Sequence, residues 1–502
     1  MIDALLGALI TFVPLDDRPV TRQLPQMLAQ IAGVRLVQPP RDLVGNYLTF
    51  GKPDSIIAWL NGSQTRGSDA IVVSNDMLAY GGLVASRVPG VSYPDAYFRL
   101  NELSHLRARH PRAWIGAFGT VMRLAPTGIP SLGPAANFFA AYPAWDYLQQ
   151  YANLHDPPLQ NELVQAQRLR ELLGDKMLQA YLDTRARNLN VDLRAIDLAR
   201  SGAADALVLG QDDAGPYGLH IKDVRALQSA AQGVQNVAIE PGADELGMAM
   251  VAHALAREAH WTPTVSVQYY PATGGTINDP LEYAPIDVAV GSLITLCGAQ
   301  RTQTPADVDL FVRAPGAKAV DDAALSAAMQ ADEQAGRSVA FADLTFLENS
   351  FASQARFAES LLSSGIASRL DAYSSWNTNA NTVGTAIAEA VAAGAGRRMH
   401  TYDAAAHRTF TFNRIVDDYA FHDYVRPDLN AWLSQQGISD HTYLLPDPAA
   451  QAQARNAQEL GARAFAILPQ LYPGYHIAAL QITLPWARTF ETEIDAPLAP
   501  DL

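Results

Sequence analysis

Two adjacent carboxylates follow a short apolar segment near the middle of the chain. Asp212 and Asp213 come soon after the strand-like residues 206–209, and a Gly-Pro turn follows them. Because adjacent like charges repel, one carboxyl of such a pair tends to have a raised pKa. A carboxyl of that kind at the end of a strand is suited to acid/base catalysis. The same residues also occur in ordinary turns and helix caps, so both interpretations stay open at this point.

Other predicted strands also end in acids, amides or aromatic residues. In α/β proteins ligands bind outside the carboxyl ends of the strands, so we expect these side chains to share one edge of the fold. Many acids with few bases would suit a neutral polyol or a cationic group. The predicted substrate-binding residues are Asp16, Asp17, Arg18, Asp76, Tyr80, Asp244, Glu245, Trp376, Asn377 and Asn381.

Several of these residues also have a purely structural interpretation. Asp17 and Arg18 could form an ion pair that braces the fold. Asp244 and Glu245 stand where a first helical turn begins, so they could cap that helix and complement its dipole. Asp76 precedes an Ala-Tyr-Gly-Gly turn and could cap it locally.

The segment 376–381 is harder to explain by structural needs alone. It holds three amides within five residues, and such residues compete with helix formation. The tryptophan beside them offers an apolar face on which a sugar ring could lie. The segment therefore favours contact with a ligand.

The familiar cofactor and metal motifs are absent from the sequence. None of the 11 histidines forms His-x-His or His-Glu-x-x-His, and there is no EF-hand loop, Walker loop or dinucleotide loop. A Gly-x-Ser-x-Gly nucleophile elbow is absent as well. The sequence thus predicts no cofactor and no dedicated metal site. The Asp16-Asp17 and Asp212-Asp213 pairs could still hold a divalent ion jointly.

Composition limits the classes of partner. Of the 502 residues 49% are hydrophobic and 17% are charged, which is typical of a soluble, well-packed globular protein. The net charge of −15 argues against nucleic acid or an anionic membrane as a partner. No apolar run is long enough for a membrane span, and the start lacks the basic region of a signal peptide, so we expect a cytoplasmic protein. A small-molecule or glycan substrate is the expected partner, and the oligomeric state stays open.

Short apolar segments alternate with helical patterns up to about residue 395. This alternation predicts an α/β fold, either a (β/α)8-type barrel, possibly irregular, or a large open sheet. We choose the barrel, and we expect residues 1–395 to form a barrel-like catalytic domain. The predicted strands are 9–15, 34–38, 70–74, 114–121, 206–209, 237–239, 265–270, 310–312, 339–342 and 372–374.

Two regions depart from this alternation. Residues 147–200 are polar and helical in pattern, which predicts a helical insertion with separate helices at 162–173, 176–187 and 192–200. Residues 396–502 predict a small α/β appendage. In the appendage 409–412 and 477–484 alternate as strands do, whereas 428–435 and 449–468 are helical in pattern.

Several longer motifs are distributed over nearly the whole chain. They are Pro14-Leu-Asp-Asp-Arg-Pro-Val, Asn75-Asp-Met-Leu-Ala-Tyr-Gly-Gly-Leu-Val-Ala-Ser-Arg, Gln211-Asp-Asp, Pro241-Gly-Ala-Asp-Glu, Trp376-Asn-Thr-x-x-Asn-Thr and Leu484-Pro-Trp-x-Arg-Thr-Phe-Glu. This series resembles a bacterial family known as domain of unknown function 4127. The resemblance implies no reaction.

The order of the acidic and aromatic motifs is also similar, more weakly, to the β-N-acetylglucosaminidases that remove O-linked N-acetylglucosamine. This resemblance implies that Asp212 orients the 2-acetamido group of a substrate, which acts as the nucleophile. It implies that Asp213 protonates the leaving oxygen and then activates water, a substrate-assisted variant of glycoside hydrolysis. The chain departs from that family at Asn377, where the family has an acid after the tryptophan.

The sequence thus predicts a glycoside hydrolase that acts on an amino sugar or a related glycan. Asp212 and Asp213 are its predicted catalytic residues. One alternative is a hydrolase or isomerase that depends on a divalent metal bound by the same carboxylates. The other alternative is a noncatalytic carbohydrate-binding protein.

Overall fold

The apolar segments predicted as strands form two separate parallel sheets. The structure, a computed structural model, describes residues 7–126, 144–303, 305–348 and 351–501. The strands of the first sheet are β1 (Leu9–Val13), β2 (Arg35–Val37), β3 (Ala70–Ser74), β4 (Trp114–Val121), β5 (Ala206–Gln211) and β6 (Val237–Pro241). Those of the second are β7 (Thr264–Tyr270), β8 (Gln300–Arg301), β9 (Val308–Arg313), β10 (Ser338–Asp343) and β11 (Ala372–Ser374).

Helices connect the strands and continue beyond them. They are α1 (Leu24–Ile31), α2 (Pro53–Leu60), α3 (Asn75–Ala79), α4 (Leu83–Ser86), α5 (Tyr93–Leu100), α6 (Glu102–Arg109), α7 (Ala144–Ala152), α8 (Leu163–Leu173), α9 (Asp175–Arg200), α10 (His220–Ala231), α11 (Leu246–Glu258), α12 (Ile286–Leu296), α13 (Ala319–Gln334), α14 (Phe351–Ser363), α15 (Asn379–Met399), α16 (Ala404–Arg414), α17 (Arg426–Gln435) and α18 (Pro446–Leu471). Two further segments, Pro19–Gln23 and Ile415–Val425, are π-helical.

Neither parallel sheet closes on itself within the described residues. The first has the order β2-β1-β3-β4-β5-β6 and the second the order β11-β10-β9-β7-β8, so each sheet has two free edges. The α/β class is confirmed, but the predicted barrel is wrong. Open and closed parallel sheets both consist of buried apolar strands joined by helices. The sequence pattern therefore does not reveal whether the outermost strands pair with each other.

The two sheets share one winding order. In each, the second strand lies outside the first, and the later strands follow on the other side, as in β2-β1-β3-β4-β5 and β8-β7-β9-β10-β11. This is a common order of doubly wound α/β folds, in which ligands bind at the carboxyl ends of the strands near the reversal. The carboxyl end of the first sheet is therefore the place to look for a site.

Two alanine-rich helices join the sheets. Helices α11 and α15 are buried along most of their length and belong to one apolar core that includes Phe12 of the first sheet and Leu310 of the second. Small side chains let two helices approach closely, which explains why both sequences are rich in alanine. Burial of each large apolar side chain in this core contributes about 1.5–3 kcal/mol.

The regions after β4 and after β11 differ in part from the predicted pattern. Residues 176–187 and 192–200, predicted as two helices, lie in the single helix α9. The alternating residues 409–412 were predicted as a strand but lie in helix α16. Their alternation arises because Phe410 belongs to one apolar core and Phe412 to another. A helix buried on two faces can imitate the period of a strand.

The end of the chain forms two small antiparallel ladders. Strand β12 (Tyr475–Ile477) pairs with β15 (Leu498–Pro500), and β13 (Gln481–Thr483) pairs with β14 (Glu493–Asp495). The connection between β13 and β14 reaches back to the carboxyl end of the first sheet. Among the described residues, we find no helix with the length and apolar character needed to cross a membrane.

Candidate functional site

A cavity of about 430 Å³ lies at the carboxyl ends of the first sheet. This volume is within the range of small-molecule sites. Residues after the strands of the first sheet form one wall, namely Arg18, Arg87, Arg123, Asp212, Asp213 and Asp244. Residues after β7 and β11 and from the end of the chain form the other, among them Glu282, Asn377, Asn381, Asp440, Trp486, Arg488 and Phe490.

The backbone places the Asp212-Asp213 pair at this wall. The β4–β5 ladder continues as far as Asp212, whose amide donates to the Val121 carbonyl at 3.2 Å. Two residues later the Ala214 amide donates to the Leu281 carbonyl at 2.9 Å, so the chain has turned toward the second sheet. The pair thus stands where the strand ends and the chain changes direction.

The two carboxylates have different surroundings. Asp212 is buried, and Arg87 Nη2 donates to its Oδ2. Burial raises the pKa of Asp212, Arg87 opposes this effect, and the charge of Asp213 adds to it. The Asp213 side chain is 38% exposed and has Arg123 Nη1 at 3.4 Å. Both carboxylates line the cavity, but Asp213 is much more open to water than Asp212.

Arg18 forms ion pairs with Asp16 and Asp244. It does not form the ion pair with Asp17 that the sequence allowed. Its Nη2 donates to Asp16 at 2.8 Å and to Asp244 at 2.6 Å. Although burial opposes ionisation, Arg18 keeps the pKa of Asp244 below its ordinary value. Asp17 instead accepts from Arg41 Nε at 3.1 Å and from the Trp486 indole at 2.7 Å. Asp16 and Asp17 thus support the cavity from behind its wall.

Asp76 and Tyr80 lie deeper than the cavity wall. The Asp76 carboxylate accepts from the Thr120 amide at 2.9 Å and its hydroxyl at 3.1 Å, rather than capping its own turn. Burial raises the pKa of Asp76 to about 7. The Tyr80 ring is buried with the Arg187 guanidinium 4.6 Å from its centre. Both residues therefore stabilise the end of β3 behind the site.

A chain of hydrogen bonds connects the cavity to a buried acid. Asn377 Nδ2 donates to Asn381 Oδ1 at 2.6 Å, and Asn381 Nδ2 donates to Glu245 Oε2 at 2.6 Å. Asn377 has a φ of 60°, a left-handed conformation that asparagine tolerates better than most residues. Burial raises the pKa of Glu245 to about 8. The two amides line the cavity, whereas Glu245 lies beneath them.

Trp376 does not offer its ring to the main cavity. It is buried, its indole N–H donates to Thr385 Oγ1 at 3.3 Å, and it lines a separate cavity of about 30 Å³ beside Arg18. Other aromatic residues line the main cavity instead. They are Tyr47, Trp145, Trp486 and Phe490, of which Trp486 is itself stacked on Tyr47 with ring centres 4.7 Å apart.

The sequence analysis did not identify two acids that follow β7 and belong to this region. Asp279 accepts from the Asn379 amide at 2.7 Å, and Glu282 accepts from the Ala380 amide at 2.6 Å, at the start of α15. Negative charge is favoured at a helix N-terminus. Burial, with a contribution from Asp279, raises the pKa of Glu282 to about 8. The Asn278-Asp-Pro turn after a predicted strand was the signal that could have revealed them.

The expectation of few bases is wrong for this cavity. Four arginines line it, namely Arg18, Arg87, Arg123 and Arg488. Arg87 lies well beyond the end of β3, and Arg488 lies in the connection between β13 and β14, so reading the strand ends alone did not predict either. The motif around Trp486 was the available signal for Arg488.

Across the described ranges, no group of three or more His, Cys, Asp or Glu residues is arranged to hold a metal ion.

Comparison with known proteins identifies one family. The family model described as "Protein of unknown function (DUF4127)" matches residues 10–495, which is nearly the whole chain. No curated protein and no solved structure matches the chain. The motifs that carry this family's resemblance supply many of the site residues, including Arg18, Asp212 and Asn381. The chain belongs to the DUF4127 family.

Proposed function

We propose that this protein is a glycoside hydrolase acting on an amino sugar or a related glycan, with Asp213 as the acid/base residue and Asp212 as the orienting residue. The observation that carries the proposal is the difference between the surroundings of the two adjacent carboxylates. Asp213 is exposed to the cavity, whereas Asp212 is buried and ion-paired with Arg87. An acid/base residue must reach both the leaving oxygen and a water molecule, and the exposed carboxylate meets that requirement.

The proposed reaction has two steps. Asp213 gives its proton to the glycosidic oxygen while the bond from that oxygen to the anomeric carbon breaks, and the 2-acetamido oxygen of the substrate bonds to that carbon. Water then attacks the same carbon, releases the acetamido oxygen and returns a proton to Asp213. Asp212 accepts the acetamido N–H throughout, and the Arg87 ion pair fixes its orientation.

The shape and lining of the cavity support a sugar ligand. Trp145 is partly exposed, and its indole N–H donates to the Pro126 carbonyl at 3.0 Å, which fixes the plane of the ring. An aromatic face suits the apolar face of a sugar. Asn377 and Asn381 add amide groups to the lining. Small-molecule sites commonly combine apolar walls with a few placed polar groups in this way.

A panel of nitrophenyl glycosides tests the proposal, with N-acetylhexosaminides as its central members. We expect release of nitrophenol from at least one amino sugar and loss of that release in Asp213→Asn. The matched control is Asp183→Asn, which changes an exposed aspartate on α9 outside the cavity and should retain full activity. The proposal fails if no sugar in the panel is cleaved, or if Asp213→Asn is as active as the control.

A further inference from the structure

One arginine of the cavity has a buried N–H group without a partner. Arg87 uses Nη2 for Asp212, but its Nε is buried and no described residue accepts from it. The side chain as a whole is 7% exposed. A buried donor without an acceptor costs about 1–3 kcal/mol, and in native proteins such a group calls for an explanation. Arg87 lines the cavity, so a small shift of its guanidinium group toward an oxygen atom of a bound ligand would supply one.

A second arginine beside it is only weakly paired. Arg123 Nε donates to the Ala125 carbonyl at 3.1 Å, and its Nη1 is 3.4 Å from Asp213, which is long for a charged hydrogen bond. Its side chain is 24% exposed. Burial lowers the pKa of Arg123, and the positive charge of Arg87 lowers it further. The two guanidinium groups therefore repel each other, and an added anion would relieve that repulsion.

The remaining arginines of the cavity use more of their N–H groups within the protein. Arg18 directs its three nitrogens at the carboxylates of Asp16 and Asp244. Arg488 donates Nε and Nη2 to Glu491, and its guanidinium lies 4.5 Å from the centre of the Trp486 ring. Among the described residues of the cavity, Arg87 and Arg123 are therefore the arginines best placed to donate to a ligand.

We propose that the ligand of this cavity is an anionic sugar whose oxyanion group, a carboxylate, sulfate or phosphate, is bound by Arg87 and Arg123. This inference rests on the proposed function for the sugar part of the ligand. Paired guanidinium groups match the geometry of such oxyanions better than any other side chain does.

The acids of the cavity permit an anion at this place. Asp212 is paired with Arg87 and Asp244 with Arg18, so neither carboxylate stands there as an unbalanced negative charge. Glu282 also lines the cavity, and burial raises its pKa to about 8, so it carries less negative charge near neutral pH than an ordinary glutamate. Asp213 is held by Arg123 only at 3.4 Å.

Calorimetric titration of the full chain tests the inference independently of turnover. The probes are the methyl β-glycosides of N-acetylglucosamine, of its 6-sulfate and 6-phosphate, and of glucuronic acid. The protein carries Asp213→Asn in every arm to prevent hydrolysis. We expect at least one anionic probe to bind about 10- to 100-fold more tightly than the neutral one, and the probe that does so identifies the oxyanion.

Replacement of the arginine separates charge recognition from other effects. Adding Arg123→Gln should reduce that preference, measured as the ratio of the Kd values of the neutral and the anionic probe, to about threefold or less. Adding Arg66→Gln, at an exposed position outside the cavity, should leave the preference intact. The inference is overturned if the neutral probe binds as tightly as every anionic one, if no anionic probe binds below ~10 mM, or if the preference survives Arg123→Gln.

The two proposals fail in different ways. Binding of an anionic probe that depends on Arg123, in a protein that cleaves no glycoside, would leave the inference standing and refute the hydrolase. Cleavage of neutral amino sugars by a protein that shows no preference for anions would do the reverse.

Discussion

Asn381 Nδ2 donates to Glu245 Oε2 at 2.6 Å, and this hydrogen bond connects the polar ends of the two sheets. Glu245 follows β6 of the first sheet, whereas Asn381 lies in the first turn of α15, just after β11 of the second. One side of the contact lines the cavity and the other is buried. The position of the cavity wall therefore depends on an acid that lies outside the cavity lining.

The protonation of Glu245 should make the stability of the protein depend on pH. Burial raises its pKa from 4.5 to about 8 in the folded chain. Between those values the unfolded chain loses the proton while the folded chain keeps it, so the free energy of unfolding decreases as pH rises. Glu245→Gln keeps the acceptor oxygen and removes this effect, so it should be more stable than wild type by about 1–4 kcal/mol at pH 8.5 and nearly equal at pH 4.5.

Urea unfolding of both proteins at the two pH values measures this difference. Glu171→Gln, at an exposed position on α8, is the control and should follow the wild-type pH profile. A Glu245→Gln variant whose stability parallels wild type at both pH values would show that Glu245 is ionised in the folded protein.

Gly242 should tolerate no side chain. It has a φ of 103°, and a Cβ there would overlap the carboxylate of Glu245 and approach the Ala380 methyl group to 2.9 Å. Gly242→Ala should therefore lower the free energy of unfolding by more than ~2 kcal/mol, which denaturant unfolding measures. Gly233 also has a positive φ, but an added Cβ meets nothing within 4 Å. Gly233→Ala should cost only about 1–2 kcal/mol for backbone strain, and equal losses at the two positions would contradict the described contact.

The buried ion pairs of Arg18 should matter far more than an exposed one. Arg18→Met leaves the buried carboxylate of Asp16 and the largely buried carboxylate of Asp244 without this cation, at a cost of about 3–5 kcal/mol. Arg200 pairs with Asp197 at the surface, where both side chains are about half exposed. Arg200→Met should therefore cost no more than ~1 kcal/mol.

A rescue variant distinguishes lost charge balance from lost packing. The combination Asp16→Asn, Arg18→Met and Asp244→Asn removes all three charges, and we expect it to regain much of the stability that Arg18→Met loses, as judged by urea unfolding. If the triple variant is less stable than Arg18→Met alone, the buried charges are not what makes the single substitution costly.

The sequence revealed the strands because buried parallel strands are continuous apolar segments. The predicted limits of β3, β4 and β11 coincide with the observed ones. Strand β8 has two residues, too few for any pattern, and it was missed. Closure of a sheet depends on which edges pair in three dimensions, and no local pattern records that pairing.

The sequence predicts that the candidate site lies at the strand ends. It does not predict which side chains there face the cavity. Asp213 and Asn381 line the cavity, whereas Asp76 and Glu245 from equivalent positions lie behind it. Whether a polar residue after a strand faces a cavity depends on the loops that cover it, and these come from distant parts of the chain. Arg488 belongs to such a loop, more than 270 residues after Asp213.

The most direct test of the central claim compares two leaving groups in Asp213→Asn. An acid that protonates the leaving oxygen matters for an aryl glycoside with a basic phenol and hardly matters for a dinitrophenyl glycoside of the same sugar. We predict that kcat/KM falls about 10²- to 10⁴-fold with the basic leaving group and less than about tenfold with the dinitrophenyl group. Equal losses with both leaving groups, or no loss with either, would contradict the assignment of Asp213 as the acid.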